Sequence, residues 1–280
     1  MLNKRKSIVI IITLYNSELI ESESFMSLIN INDKQIIDYN LILYNNSKEI
    51  EIPNHESYLI INDKTNQKLA GAYNFALNYA LKNNQEWILL VDQDTEITQD
   101  YFIKLASFLE SDKQSNDIVA IVPFIKENSQ VLSPHKINFF NCRRKVISNS
   151  GLQNDYVSAF NSMSLLKVNF ITSIGGFNID FPLDMLDYWY YYQIHKNGKK
   201  VYVLDTYVNH NLSITHYERN ISLERHTDLL LAEKKFIREI GLVHFSFYKV
   251  RLLYRFIKQL IFFKNKRYAQ IILKNLFNKL

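Results

Sequence analysis

Short apolar runs and amphipathic segments alternate through the first half of the chain. Five apolar runs predict buried strands, at residues 7–14, 36–43, 58–61, 87–91 and 118–124. Apolar residues recur at helical spacing over 69–81 and 100–109, which predicts two helices between these strands. Because strands that alternate with helices favour a parallel sheet with covered faces, the pattern predicts an α/β fold.

The second half of the chain is less regular after Pro123. The elements expected there are a strand leading into a helix over 153–166, a turn at 175–177, a partly helical segment over 181–195, a strand over 200–204 and a longer helix over 218–240. The last forty residues are apolar and basic, and they predict one or two helices.

Charge separates the end of the chain from the rest. The 280 residues carry a net charge of +5, and residues 241–280 hold nine Lys and Arg with no Asp or Glu. The first 240 residues therefore carry −4, which is the total of +5 less the nine positive charges of the tail. We expect a main domain over 1–240 and a basic amphipathic helical tail over 241–280.

Cysteine usage and hydropathy indicate the cellular compartment. The single Cys142 excludes an intramolecular disulfide and fits a reducing cytosol. The apolar run Ile8–Ile12 follows basic residues, but it is too short for a signal peptide and no small-residue cleavage site follows it. No apolar run reaches the roughly 18 residues that span a bilayer. We therefore expect a cytoplasmic protein.

Polar residues follow three of the expected strands at the point where each strand ends. These clusters are at 13–16, 44–47 and 92–94. In parallel α/β sheets, ligands bind in a crevice beyond the carboxyl ends of the strands. The sequence therefore predicts a binding crevice at one edge of the sheet.

Two pairs of aspartates are the main candidates for chemistry. Asp92 and Asp94 can hold a hard divalent cation that neutralises a departing diphosphate, or they can belong to a solvated loop that caps the next helix. Asp184 and Asp187 would share one face of a helix beside aromatic residues. Mutual repulsion would then disfavour ionisation of both, which suits a base, while helix capping is the alternative.

Histidines offer one further ligand candidate. His210 follows an apolar strand and could be a third metal ligand, with a hydrogen-bonded structural role as the alternative. The histidines without such a context are expected to be structural, namely His195, His216, His226 and His244.

Together these segments resemble the family 2 glycosyltransferases with the GT-A fold, particularly the rhamnosyltransferase-like branch. The motifs that carry the resemblance are at 7–16, 43–47, 66–76, 90–95, 131–134, 160–162, 175–177, 183–189, 210–213, 225 and 232–233. Asn45 stands where the family usually has Asp, and Met163 stands where it usually has Gly. Trp189 occupies a position that is acidic in many relatives.

The resemblance implies a GT-A, Rossmann-like catalytic domain over 1–240, with a mostly parallel sheet flanked by helices. It implies an inverting single displacement in which Asp187, rather than Asp184, is the catalytic base. It also implies Mg2+ or Mn2+ held by Asp92, Asp94 and His210. The donor-binding residues it implies are Thr13, Tyr15, Asn16, Asn45, Asn66, Asn74, Asp92 and Gln93.

The implied reaction moves a hexosyl or rhamnosyl group from a UDP- or dTDP-linked donor to a glycan or lipid-linked acceptor in bacterial surface polysaccharide synthesis. A noncatalytic nucleotide-binding or scaffold protein that keeps the fold is the alternative, because of Asn45 and Trp189. A nucleotidyltransferase would usually need a Gly-rich basic loop near the first strand, and residues 13–16 do not form one.

The tail spaces basic residues among large apolar ones over 248–264. Such a helix can lie in a membrane interface with its cations facing anionic lipid, and packing on the main domain is the alternative. We expect a peripheral position on the inner face of the plasma membrane and no nucleic-acid partner.

Overall fold

The computed structural model describes residues 7–31, 36–112, 115–138, 144–210 and 221–277. Within these residues the chain forms two compact units. The first takes its described residues from 7–137 and 144–210, and the second consists essentially of 221–277. Cys142 and His216, together with the end of the 210–213 motif, lie outside the described residues.

The strands of the first unit are β1 (Ser7–Leu14), β2 (Asp38–Asn45), β3 (Leu59–Asn62), β4 (Trp87–Asp92), β5 (Ile118–Glu127), β6 (Gln130–Ser133), β7 (His135–Ile137), β8 (Arg144–Val146), β9 (Gly151–Gln153), β10 (Val157–Ser158), β11 (Ser164–Lys167) and β12 (Lys200–Asn209). Nine of them form one sheet in the order β3-β2-β1-β4-β11-β5-β12-β9, with β6 paired to β5. The remaining three strands form a small sheet, β10-β7-β8.

The large sheet is mostly parallel, as the sequence predicted. The strands β1, β2, β3, β4, β5 and β12 run in one direction, and β6, β9 and β11 run against them. The interior strand β1 is fully buried over Ile8–Ile12, because both faces of the sheet are covered. The predicted α/β fold is confirmed.

The helices of the first unit are α1 (Glu23–Asn30), α2 (Lys68–Lys82), α3 (Gln99–Glu110), α4 (Val168–Ser173) and α5 (Leu186–Lys196). Helix α2 buries Ala72, Ala76 and Ala80 and contacts both β1 and β4. Small residues four apart allow a close approach of helix and sheet. Thr98 caps α3 by accepting a hydrogen bond from the backbone N–H of Tyr101.

Two sequence predictions about local structure are wrong. The segment 153–166 does not run from a strand into a helix; it holds β10 and most of β11, and the helix α4 begins only at Val168. Asp184 does not share a helical face with Asp187, because α5 begins at Leu186 after Met185 in a left-handed conformation with φ 64°. The carbonyl of Pro182 accepts from the N–H of Ala70 instead of joining a helix.

The second unit contains three helices, α6 (Leu223–Ile240), α7 (Leu242–Phe262) and α8 (Arg267–Phe277), and each contacts the other two. Gly241 separates α6 from α7 with φ 145°, a conformation that L side chains rarely adopt. Each helix has a buried apolar residue, namely Leu230, Leu252 and Ile272. The boundary between residues 240 and 241 as a division between domains stays a prediction.

Among the described residues, the structure contains no helix with the length and apolar character needed to cross a membrane.

Candidate active site

Parallel pairing brings the three polar strand ends to the same edge of the sheet. Thr13 of β1 is the register partner of Tyr44 in β2 on one side and of Asp92 in β4 on the other. The hydroxyl of Thr13 donates to the carbonyl of Val91 at 3.4 Å. The predicted crevice edge is therefore built from adjacent strands with Thr13 at its centre.

Asp92, Asp94 and His210 form a cluster at this edge. One ligand atom from each lies within 4.8 Å of the others. Asp94 follows β4 and His210 follows β12, and an isolated bridge between Thr95 and His210 draws the two segments together. Two carboxylates and one imidazole are a donor set that suits Mg2+ or Mn2+, so the residues present fit a divalent cation.

Thr95 and Asp94 hold the imidazole of His210 in place. Its Nδ1 lies 2.9 Å from Oγ1 of Thr95, 3.2 Å from the carbonyl oxygen of Asp94 and 3.4 Å from Asp94 Oδ1. Thr95 Oγ1 also lies 2.7 Å from Oγ of Ser162, which accepts the backbone N–H of Asp92 at 3.1 Å. This chain of contacts fixes β4, its following loop and His210 relative to one another.

Asp92 is partly buried. Burial raises the pKa of its carboxyl group to about 6, and the charge of Asp94 adds to the effect, while His210 and the hydroxyls of Tyr73 and Thr13 oppose it. The phenol of buried Tyr73 on α2 donates to Asp92 Oδ1 at 3.5 Å. A cation at this position would compensate the charge that burial disfavours.

Asp187 stands in the first turn of α5. Its Oδ1 accepts the backbone N–H of Tyr188 at 2.8 Å. Burial raises the pKa of Asp187 to about 7, the N–H of Tyr188 and the charge of Arg144 oppose the rise, and Asp184 and Asp92 add to it. Asp187 is therefore close enough to the metal-site candidate to sense the charge of Asp92, and its pKa suits proton transfer near neutral pH.

The surroundings of Asp187 are aromatic. Trp189 and Tyr191 are buried in α5, and the hydroxyl of Tyr191 lies 2.8 Å from Oγ of Ser164. The guanidinium of Arg144 in β8 bonds to the hydroxyl of Tyr188 and lies 5.3 Å from the centre of its ring. Arg144 therefore brings a positive charge to the start of α5, a contact that the sequence pattern did not predict.

The profile of the family described as "Glycosyl transferase family 2" matches residues 9–166, more than half of the 280-residue chain. The chain belongs to this family. Membership makes it a nucleotide-sugar glycosyltransferase, and the match includes Asp92 and Asp94, while Asp187 and His210 lie beyond it. A comparison with curated proteins finds no match.

Solved structures of glycosyltransferases share the fold. A mannosyltransferase from Pyrobaculum calidifontis, in complex with GDP-Man and Mn2+, aligns with a TM-score of 0.57 at 13% identity over 99% of this chain and 89% of its own. TarS 1–349 of S. aureus aligns with a TM-score of 0.55 at 12% identity over 97% and 81%.

A third structure, GalNAc-T7 with UDP, GalNAc and Mn2+, aligns with a TM-score of 0.55 at 11% identity over 74% of this chain. The chain spans only 44% of the length of GalNAc-T7. At these identities the comparisons establish the fold of the glycosyltransferase, which is GT-A.

The glycosyltransferase holds its first donor-loop candidates through backbone contacts. The N–H of Tyr15 donates to Oε1 of Gln93 at 2.7 Å, and Nε2 of Gln93 donates to the carbonyl of Tyr15 at 3.4 Å. The N–H of Asn16 donates to Oγ of Ser47 at 2.8 Å. These bonds join the loops after β1, β2 and β4 and leave the ring of Tyr15 exposed.

The side chains of two other donor-binding candidates form hydrogen bonds within the protein. Asn45 is fully buried, and its amide bonds to Ile50, Asn62 and the N–H of Ser47. Asn74 of α2 binds both the N–H and the carbonyl of Phe177, at 2.9 and 2.8 Å. In this structure both amides organise the loops around the crevice, and donor binding by either stays a prediction.

The loop that leads into α2 contains Asn66, the remaining donor-binding candidate. Asn66 adopts φ 54°, which Asn tolerates better than most residues. Asp63 shapes this loop by accepting the N–H groups of Thr65 and Gln67. Burial alone would raise the pKa of Asp63, but its hydrogen bonds, including those from Thr65 and Tyr44, hold the pKa below its usual value.

Asn46 and Asp63 lie at strand ends but were not predicted as donor-binding residues, although Asn46 belongs to the predicted polar cluster at 44–47. Asn46 is buried, its Nδ2 donates to the carbonyl of Lys68 at 3.4 Å, and its Oδ1 has no hydrogen-bond partner among the described residues. Both residues follow a strand of the parallel sheet, so their position at a carboxyl end was the available signal.

Proposed function

We propose that this protein is an inverting, metal-dependent glycosyltransferase in which Asp187 is the catalytic base. The observation that carries the proposal is that two acidic sites lie near enough to interact electrostatically. Asp92, Asp94 and His210 cluster within 4.8 Å, and Asp187 senses the charge of Asp92. Such a division of labour places leaving-group stabilisation and proton abstraction in separate groups.

The proposed reaction is a single displacement. The carboxylate of Asp187 accepts the proton of the acceptor hydroxyl as its oxygen forms a bond to the anomeric carbon. The bond from that carbon to the diphosphate oxygen breaks on the opposite face, and its electron pair leaves with the nucleoside diphosphate. Asp92, Asp94 and His210 would hold Mg2+ or Mn2+, which supplies positive charge beside the diphosphate.

The proposed donor is a UDP- or dTDP-linked hexose or rhamnose. Support for a nucleotide-sugar donor and a divalent cation comes from the related folds, because GalNAc-T7 was crystallised with UDP and Mn2+ and the Pyrobaculum mannosyltransferase with GDP-Man and Mn2+. Within the donor site, the unpartnered Oδ1 of Asn46 is an acceptor for an N–H or O–H of the nucleoside.

The proposed acceptor is a glycan or lipid-linked glycan in bacterial surface polysaccharide assembly, at the inner face of the plasma membrane. This part of the proposal, like the rhamnosyltransferase-like branch, rests on the resemblance of the ordered set of motifs between residues 7 and 233.

Donor binding separates the proposed roles. A panel of nucleotide sugars measured by thermal shift identifies the donor, because a ligand that binds only the folded state raises the melting temperature. With that donor and Mn2+, calorimetry should show binding to the wild type and Asp187→Asn, and at least about tenfold weaker binding to Asp94→Asn. Equal donor affinity in all three proteins, with and without Mn2+, would overturn the metal assignment.

A further inference from the structure

Helix α7 has apolar side chains on two opposite faces. The inner face is buried within the second unit, with Tyr248 and Leu252 almost inaccessible to water. The hydroxyl of Tyr248 donates to the carbonyl of Leu230 on α6 at 3.4 Å. The inner face therefore accounts for the packing of α7 against its neighbouring helices, and it leaves the opposite face unused.

The opposite face carries a continuous apolar row, here named the outer stripe. Its members follow one another at alternating spacings of four and three residues, which keeps them on one side of the helix. They are Val243, Phe247, Val250, Tyr254, Ile257 and Ile261. Each is between 47% and 68% exposed, so the stripe faces water along its whole length.

The outer stripe is long for an exposed apolar surface. From Val243 to Ile261 it extends about 27 Å at the rise of an α-helix. Leu253 and Leu260 widen it on one side, and both are also exposed. Contiguous exposed apolar surfaces of this kind mark contact sites for a partner or a membrane.

Cations flank the outer stripe on both sides. At 100° per residue, Lys249 lies beyond the edge marked by Leu253 and Leu260, and Arg251 and Lys258 lie beyond the other edge. The whole segment 241–280 contains no Asp or Glu. Among the residues of α7 itself, the apolar band is therefore bordered only by positive charge.

We propose that the outer stripe of α7 inserts into the headgroup region of an anionic phospholipid surface. The apolar side chains would lie toward the acyl chains, while Lys249, Arg251 and Lys258 extend their ammonium and guanidinium groups to lipid phosphates. This interaction is independent of the chemistry at the sheet edge.

Charge favours lipid over a second copy of the chain. Two α7 helices paired through their outer stripes would place flanking residues such as Arg251 and Lys258 at the edge of the contact, where coiled coils use opposite charges. Because α7 offers no acidic residue there, self-pairing would place like charges beside one another. Lipid phosphates carry the opposite charge.

Vesicle flotation of the full chain tests the proposal. The wild type should float with phosphatidylglycerol-containing phosphatidylcholine vesicles, and weakly with phosphatidylcholine alone. Val250→Glu combined with Ile257→Glu should lower the partition coefficient at least about tenfold, and Lys249→Gln with Lys258→Gln should lower it mainly on the anionic vesicles. Ile179→Glu, at an exposed apolar residue of the first unit, is the matched control and should float like the wild type.

A fluorescence probe gives a second readout with a conservative change. Tyr254→Trp should shift its emission to the blue when anionic vesicles are added, and Tyr207→Trp, an exposed tyrosine of the first unit, should not. Neither change adds charge to the interior, so failure to fold does not obscure the result.

Three results would overturn the proposal: unchanged flotation of the Val250/Ile257 variant, no spectral shift at position 254, or wild-type self-association that this variant abolishes without any vesicle binding. Hydrolysis of the nucleotide-sugar donor in solution, without vesicles, should be the same in wild type and variant. A failure of the lipid proposal is therefore distinguishable from a failure of the proposed catalysis.

Discussion

At the scale of the residue, the surroundings of Asp187 predict how the reaction depends on pH. Its pKa is raised to about 7, first by burial, with contributions from Asp184 and Asp92. A base must be ionised to accept a proton, so the transfer rate should fall about tenfold per pH unit below 7. A pH profile of the rate checks this.

The pH profile of a neighbouring variant provides a control for this prediction. Asp184→Asn removes a charge that raises the pKa of Asp187, so the acid limb should move to lower pH while the maximum rate is kept. A rate that does not change with pH, or an unaltered profile in Asp187→Asn, is incompatible with Asp187 as the base.

Two adjacent asparagines at the end of β2 should respond differently to replacement by alanine. The amide of Asn45 makes hydrogen bonds of 2.7, 2.9 and 3.0 Å to Ile50, Asn62 and Ser47, whereas Asn46 makes one of 3.4 Å. Asn45→Ala should therefore lower the unfolding free energy by about 2–3 kcal/mol. Asn46→Ala should lower it by less than about 1 kcal/mol and act mainly on donor affinity. Urea denaturation of both variants measures these losses, and a loss of less than about 1 kcal/mol in Asn45→Ala would contradict a structural role for its amide.

At the scale of the element, the turn that follows α4 packs against α2 at a glycine. A Cβ on Gly176 would lie 2.8 Å from Oδ1 of Asn74, whereas a Cβ on Gly175 would meet nothing within 4 Å. Both glycines have φ near +90°, at 88° and 89°, so alanine strains the backbone at either position.

The two glycines therefore form a matched pair for mutation. Gly175→Ala should destabilise the fold by about 1–2 kcal/mol through strain alone. Gly176→Ala should cost about 1–2 kcal/mol more, because it also disrupts the bonds from Asn74 to Phe177. Equal midpoints in urea would mean that the contact between α2 and this turn contributes nothing.

The contact between the loop after β4 and the end of β12 should influence the affinity of the site for a divalent cation. Thr95 Oγ1 orients the imidazole of His210, and groups that orient a ligand commonly change metal affinity by about 10–100-fold. Thr95→Val should weaken Mn2+ binding by that factor in calorimetry without donor. Thr172→Val, which removes a hydroxyl bonded within α4, should bind Mn2+ like the wild type.

At the scale of the whole molecule, the sheet was predictable where hydrophobic periodicity is strong. Ile8–Ile12 and Trp87–Val91 are apolar throughout, because parallel strands are buried on both faces, and the predicted strands coincide with β1 and most of β4. The polar ends of these strands likewise indicated the crevice. Hydrophobic periodicity and strand direction were therefore sufficient to predict the part of the candidate site that lies at the strand ends.

The other features of the fold and of the candidate site depend on contacts that leave no periodic pattern in the sequence. The small sheet β10-β7-β8 consists of strands of two or three residues, too short for an alternating pattern to be recognised. Asp184 lies outside helix α5 because Met185 is left-handed and the carbonyl of Pro182 accepts a hydrogen bond from Ala70. Neither feature can be recognised from the amino-acid composition. The contact of Arg144 with Tyr188 joins residues 44 positions apart, beyond any local pattern.

The central claim is that Asp92, Asp94 and His210 act together with Asp187 in one active site. The most direct test measures the release of nucleoside diphosphate from the identified donor. With acceptor present, the wild type should release it only when Mn2+ or Mg2+ is added. Asp94→Asn and Asp187→Asn should each reduce the rate at least about a thousandfold, because the former weakens leaving-group stabilisation and the latter removes the base. Metal-independent release in the wild type, or near-normal rates in either variant, would contradict the account.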